Sequence, residues 1–298
     1  MLITPEVTDA LAGGGPVVAL ESTIISHGLP RPDNLRIARE IEQAVRDEGS
    51  VPATIAIIDG EAHIGLDDVA LEKLAMSEDV VKTSVRDMGT VAAKGLIGAT
   101  TVASTAHLAS AAGISVFATG GLGGVHRGAT ETWDESADLV TLSRSRIIVV
   151  CAGVKSILDV PATLERLETL NISVLGYRTD AFPGFYLQNS GYAVDWRVES
   201  PLEVADIFRA QADMGQSSGT IVANPIAERD ELDLALHDRV LASGLATAEE
   251  QRVTGKAVTP FLLAWFHEQT HGASLAANVA LVLSNARLAA AVAGELAR

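Results

Sequence analysis

Residues 147–151 read Ile-Ile-Val-Val-Cys, and Ala152, Gly153, Val154, Lys155 and Ser156 follow directly. The run is too short for a core helix and too continuous for a strand with one wet face, so it predicts a strand buried on both faces. Similar runs lie at 17–20, 53–58, 115–118, 172–176 and 220–223. Helical periods fill many of the intervals. Ile37, Ile41 and Val45 repeat every four residues behind Asn34, which is placed as the cap of that helix. Ser200-Pro201-Leu202-Glu203 reads as a capping box opening a helix through Ala210. Thr259-Pro260 opens another, and Ser274 is placed as the cap of a last, alanine-rich helix. Residues 180–192 and 243–257 read as the least structured stretches. Alternating strands and helices predict an α/β fold, a three-layer α/β/α arrangement on a mostly parallel sheet, in a single domain over residues 1–298.

Composition sets outer limits. Hydrophobic residues make up 48% of the 298 and charged residues 20%, which excludes wholesale disorder. With Cys151 the sole cysteine, no intramolecular disulfide can form, as expected of a reducing compartment. Lys and Arg number 22 against 38 Asp and Glu, a net charge of −16 that disfavours nucleic acid and anionic membrane as partners. Any phosphate must therefore be held by a local site. The first residues carry no basic segment ahead of an apolar one, and no apolar run approaches the ~20 residues that span a bilayer. A cytoplasmic protein is expected.

In open α/β sheets ligands bind beyond the carboxyl ends of the strands. Four clusters stand there: Glu21–Gly28 after 17–20, Thr119–Gly128 after 115–118, Ala152–Ser156 after 147–151, and Asn224-Pro225 after 220–223. They are expected to converge on one crevice. Lys155 is one of only five lysines. Desolvated, its amine becomes a nucleophile toward a carbonyl; otherwise it is a strand-end lysine reaching to solvent. Glu21 is either a buried carboxyl tuned as a general acid or a strand-end carboxylate paired with a cation. The run GGLGGVHRG at 120–128 offers backbone N–H groups to an anion, or serves only as a tight connection; it has neither dinucleotide nor P-loop spacing. Asp134, Glu135 and Asp138 suit a hard, water-keeping divalent cation, or simply a solvated helix start. His27 and His126 lack the partners of a zinc site. Cys151 reads as inert core.

The segments VVALESTIISHGLPRPDN, VPATIAIIDG, GATTVASTAHLA, VFATGGLGGVHRGA, VVCAGVKSILD, IVANPI and SLAANVALV, in this order, resemble the pseudouridine-5′-phosphate glycosidase family, which includes the indigoidine synthase A-like proteins. The resemblance runs from about Pro16 to about Ala293. It departs mildly at Val154, where alanine is common.

The resemblance implies reversible cleavage of the C–C glycosidic bond of pseudouridine 5′-phosphate to uracil and ribose 5-phosphate. It implies that Lys155 forms an imine with the ring-opened sugar and that Glu21 is the proton donor. Asp134 is expected to contact one Mn2+ per subunit, largely through water. Lys82, Val102, Ser136, Ala137 and Asp138 are the implied substrate-binding positions, with Asn278 facing the base and His126 the sugar phosphate. A homotrimer of α/β/α subunits is implied. The alternatives are a C-glycosynthase joining ribose 5-phosphate to an aromatic aglycone, or a non-catalytic sugar-phosphate-binding accessory protein.

Overall fold

The computed structural model describes residues 1–298, the side chain of Lys256 excepted. Eleven strands form the sheet: β1 (Leu2–Ile3), β2 (Val17–Leu20), β3 (Val51–Ile58), β4 (Glu61–Ile64), β5 (Val81–Thr83), β6 (Gly98–Thr100), β7 (Val116–Ala118), β8 (Ile148–Cys151), β9 (Ser173–Tyr177), β10 (Trp196–Val198) and β11 (Thr220–Ala223). Their order is β1-β4-β3-β2-β7-β8-β11-β9-β10, with β6 paired to β3 and β5 to β6. From β3 to β10 along this path every pairing is parallel; β3 runs antiparallel to both β4 and β6. The mostly parallel sheet is as expected. The six apolar runs all became strands, with ends shifted by at most two residues. The five short strands without such a run were not foreseen, because sequences like Glu61-Ala-His-Ile64 or Gly98-Ala-Thr100 carry no continuous apolar signal.

Every residue of β2, β7, β8 and β11 is buried, because helices cover both faces. Removing each such Val or Ile side chain from water contributes about 1.5–3 kcal/mol. The Asp33–Asp47 helix buries Ile37, Ile41 and Val45 as the period required. Its cap was misassigned: the helix starts at Asp33, and Asn34 lies inside it, fully buried, donating Nδ2–H to the carbonyls of Ile25 and Ala75, each at 2.9 Å. Ser200 caps the Pro201–Asp213 helix, accepting from Glu203 N at 3.2 Å, and this helix runs three residues past Ala210. The helix expected at Thr259 begins at Val258. Ser274 does not cap the last helix, Ala273–Leu296, but lies within it.

That last helix corrects a further expectation. By length and composition it is apolar enough to cross a membrane. In the fold it is a core element lying across β2, β7 and β8 and against the Asp33–Asp47 helix. Its polar side chains Asn278 and Asn285 are buried there. The two stretches read as least structured are also ordered. Phe182, Phe185 and Tyr186 of the first are at most 2% exposed, and the Leu234–Glu250 helix takes in half of the second.

Candidate active site

The carboxyl ends of β2, β7 and β8 open into one cavity of about 410 Å3. Glu21, the residue after β2, lines it. Its backbone is pinned by its neighbours: Ser22 Oγ donates to Ile55 O at 2.7 Å and accepts from Thr100 N at 2.8 Å, and Thr23 Oγ1 donates to Thr100 O at 2.9 Å. A wide π-type turn, Ile24–Gly28, then presents Ile24 and His27 to the cavity. Such turns cost regular hydrogen bonding and recur at functional sites. Burial pushes the Glu21 carboxyl above the usual carboxylate range. The charge of Lys155 opposes this most, then a hydrogen bond from Thr119 Oγ1, while Asp138 pushes the same way as burial and Lys82 against it.

Lys155 reaches the same cavity from the end of β8. Its backbone is fixed on both sides, Lys155 N donating to Leu122 O at 3.1 Å and Leu158 N to Lys155 O at 2.9 Å. The chain can turn there because Gly153 adopts φ +79°, where a Cβ would also stand 2.2 Å from Pro183 O. Cys151, two residues earlier, is fully buried, and burial pushes its thiol up to about 12, as befits inert core.

The glycine-rich run after β7 is a packed wall. Leu122 N donates to Gly153 O, Gly123 N to Asp138 Oδ2, Val125 N to Thr163 Oγ1 and His126 N to Asp134 O, all within 3.0 Å. These four N–H groups are therefore spent inside the protein and are not offered to an anion. Glycine is needed at 123 for close approach: a Cβ there would meet Ser136 Oγ at 2.2 Å and Asp138 Oδ2 at 2.7 Å. Asp138 is 5% exposed, and its other oxygen accepts from Ala103 N at 2.9 Å. One carboxyl thus clamps the wall to the amino end of the Val102–Ala111 helix, while Ser136 caps the Ala137–Leu142 helix. The acidic segment is a built corner rather than a merely solvated helix start.

Positive charge gathers opposite. Lys82 on β5 and Arg86 line the cavity beside Ser84, at the start of the Val85–Ala93 helix, and Thr101 caps the next helix there. Amino ends of helices favour anions. His126 is shifted down from the usual imidazole value, by burial first and by Lys82 and Lys155, with Asp134 opposing. Its Nδ1 lies 3.9 Å from Asp134 Oδ2. His27 is lowered as well, through burial and then Lys82 and Arg31.

Among the described residues no three His, Cys, Asp or Glu side chains gather as a metal-ligand set. Glu135 is engaged with Arg166 Nε at 2.9 Å. Asp134 stands at the cavity with its side chain about one third exposed and no Lys or Arg paired with it among the described ion pairs. That donor set fits only a hard cation keeping most of its own waters.

All ten positions singled out above line this cavity: Glu21, Lys82, Val102, His126, Asp134, Ser136, Ala137, Asp138, Lys155 and Asn278. The fourth strand-end cluster does not join them. Asn224 is buried behind the wall, donating to Asn285 Oδ1 at 2.9 Å and Ser284 Oγ at 3.1 Å, while Asn285 Nδ2 donates to Thr119 O at 2.8 Å. It supports the wall from the last helix. Sequence reading missed Ser84, Arg86, Thr101, Phe185 and Leu263 as lining residues. Ser84, placed like Thr101 as a cap at a helix start, carried the one usable signal; Phe185 lies on a strap brought in from far along the chain.

A mostly parallel α/β scaffold, with an amine beyond the end of β8 and a carboxyl beyond the end of β2, the two strands flanking β7, defines an α/β enzyme acting on a small polar molecule in one cavity. The model of the indigoidine synthase A like protein family matches residues 6–295, and the chain belongs to that family. It is 62% identical over 289 residues to the pseudouridine-5′-phosphate glycosidase of Salinispora tropica, covering 97% of this chain and 89% of that one. It is 59% identical over 293 residues to the protein of that name from Streptomyces griseus, covering 98% and 91%. Among solved structures, the prealnumycin C-glycosynthase AlnA in complex with ribulose 5-phosphate superposes with a TM-score of 0.91 at 37% identity, over 99% of this chain and 96% of that one. An indigoidine synthase A-like protein of Thermotoga maritima gives 0.89 at 40%, over 96% and 94%.

Proposed function

We propose that this protein is a pseudouridine-5′-phosphate glycosidase that cleaves the C1′–C5 bond between ribose 5-phosphate and uracil through an imine on Lys155. The observation that carries the reading is that Lys155 and Glu21 line one cavity, with the Lys155 charge the largest influence opposing the burial of Glu21. The relatives named for this reaction match nearly the whole chain at 59–62% identity, against 37% for the C-glycosynthase, which favours cleavage over synthesis on another aglycone.

A carbon leaving group has no lone pair to protonate, so a pair of carboxyl groups alone does not suffice. In the proposed sequence Glu21 gives a proton to the ring oxygen O4′ as the O4′–C1′ bond breaks, and the Lys155 amine bonds to C1′. A proton is then delivered to C5 of the base. The C1′–C5 bond breaks with its electron pair restoring the C5=C6 double bond that protonation at C5 had consumed, and the nitrogen lone pair closes the C1′=N imine. Water adds to C1′ and the C–N bond breaks, returning free ribose 5-phosphate and the amine. Lys82, Arg86 and Ser84, at the amino end of a helix, would hold the phosphate. His126, lowered toward its neutral form, would serve as a hydrogen-bond partner to the sugar phosphate rather than as a cation. Asn278 offers an amide to the edge of the base, while Val102 and Ala137 shape the wall and Ser136 and Asp138 fix it.

Asp134 would hold the proposed Mn2+ through water, and a bound divalent cation supplies charge and ordered water beside the sugar. A homotrimeric, cytoplasmic enzyme completes the reading, supported by the family resemblance. The test is mass analysis of the protein after borohydride reduction with ribose 5-phosphate. An adduct on Lys155, absent in Lys155→Ala, supports the reading; an adduct on another lysine, or none, overturns it.

A further inference from the structure

Behind Glu21 lies a second, small space of about 20 Å3 between the ends of β2 and β7, the middle of β3 and the Asp33–Asp47 helix. Its walls are mostly apolar, with Leu20, Ile41, Ala118 and Val282 among them, but Glu21, Thr54 and Thr119 also line it. That volume holds one water molecule, and three polar neighbours are enough to retain it. Thr54 is in register with Leu20 on the adjoining strand, so its hydroxyl lies next to the strand end that carries Glu21. On the far side Thr54 Oγ1 is hydrogen-bonded to Glu42 Oε1. Glu42 belongs to the outer helix and is partly exposed. Glu21 thus separates the substrate cavity from a polar path leading outward through the sheet.

The geometry points to a proton relay that recharges Glu21 from behind: Glu42, the Thr54 hydroxyl and one water in the 20 Å3 space. This rests on the reading of Glu21 as proton donor. In the transfer Glu42 gives its proton to Thr54 Oγ1, Thr54 passes its own to the water, and the water passes one to Glu21. The net change is a proton lost at Glu42, regained from solvent, and one gained at Glu21. Such a path would recharge Glu21 while substrate occupies the cavity that Glu21 lines. Burial lifts both carboxyls above the usual range. Thr54, Arg46, Asp68 and Glu6 act on Glu42, in that order after burial, and Lys155, Thr119, Asp138 and Lys82 on Glu21.

The test compares Thr54→Val, which keeps the shape and removes the hydroxyl, with Thr54→Ser and Glu42→Gln. Kinetics of pseudouridine 5′-phosphate cleavage are read with Lys155 trapping by ribose 5-phosphate and borohydride. The expected result is a kcat about tenfold lower or worse in Thr54→Val and Glu42→Gln, with KM and trapping unchanged, and most of the loss restored in Thr54→Ser. A kcat within about twofold of the parent in both Thr54→Val and Glu42→Gln overturns the relay, and so does an equal loss in Thr54→Ser, which would make the effect one of packing. Glu21→Gln is measured alongside. If it loses turnover while Thr54→Val does not, the relay fails and the Glu21 reading stands; if Glu21→Gln keeps full turnover, both fail.

Discussion

Replacing Asp138 by Asn is the most direct probe of how the cavity is built. Asp138 offers two oxygens to two backbone donors, Ala103 N at 2.9 Å and Gly123 N at 2.8 Å. An asparagine keeps one acceptor and turns an N–H group toward the other donor. The variant loses one hydrogen bond to a carboxyl, about 1.5–3 kcal/mol, and leaves a buried N–H unpaired at about 1–3 kcal/mol, so a net loss of roughly 3 kcal/mol is expected. Unfolding entropy of about 2 cal/mol/K per residue, over a chain of this length, converts that to a Tm lower by about 5 °C. Calorimetry reads the shift, and amide exchange at Gly123 or Ala103 locates it. The Asp138 charge also raises Glu21, so in the variant the high-pH limb of the kcat profile, where Glu21 loses its proton, should move down in pH. A Tm within about 1 °C of the parent, with both amides still protected, would refute the clamp.

Glu21→Gln should lower kcat by about 10²–10⁴-fold in single-turnover assays. Its stability should depend less on pH. A carboxyl raised above 4.5 in the folded state binds its proton more tightly than the unfolded chain does. That contribution is present below pH 4.5 and lost as pH rises through the folded value, so the Tm of the Gln variant should fall less between mildly acidic and alkaline buffer than that of the parent. Lys155→Arg should keep the fold, judged by an unchanged melt, and lose imine trapping, because a guanidinium does not deprotonate. Chelation should lower turnover and Mn2+ restore it, with Asp134→Asn needing more of the metal for half-maximal rate. Gly123→Ala should lower both stability and kcat/KM, since its Cβ has no room beside Ser136, and unchanged kinetics would refute the close approach.

Much of this molecule is legible in one dimension. Short runs rich in Val, Ile and Ala at β2, β3, β8 and β11 need no partner to declare themselves, since a strand buried on both faces is predominantly apolar. The polar residue that ends each run is then a candidate by position alone, which is how Glu21 and Lys155 stand out. Three kinds of information are absent from the linear pattern. The short strand β6 pairs with β3 and β5 pairs in turn with β6, so Lys82 reaches the cavity on a strand that its own residues do not announce. Residues distant in the chain share a wall: Phe185 lies on a strap held by a hydrogen bond of 3.0 Å from its N to Ala152 O, and Asn278 comes from the last helix. Polar side chains spent internally look the same as free ones. Asn34, Asn224 and the amides of Leu122, Gly123, Val125 and His126 read as cap, ligand and cradle, and packing has assigned each of them a partner. Strand identity follows from local hydrophobicity; which polar groups remain available for chemistry is settled only when the chain has closed and buried donors have claimed their acceptors.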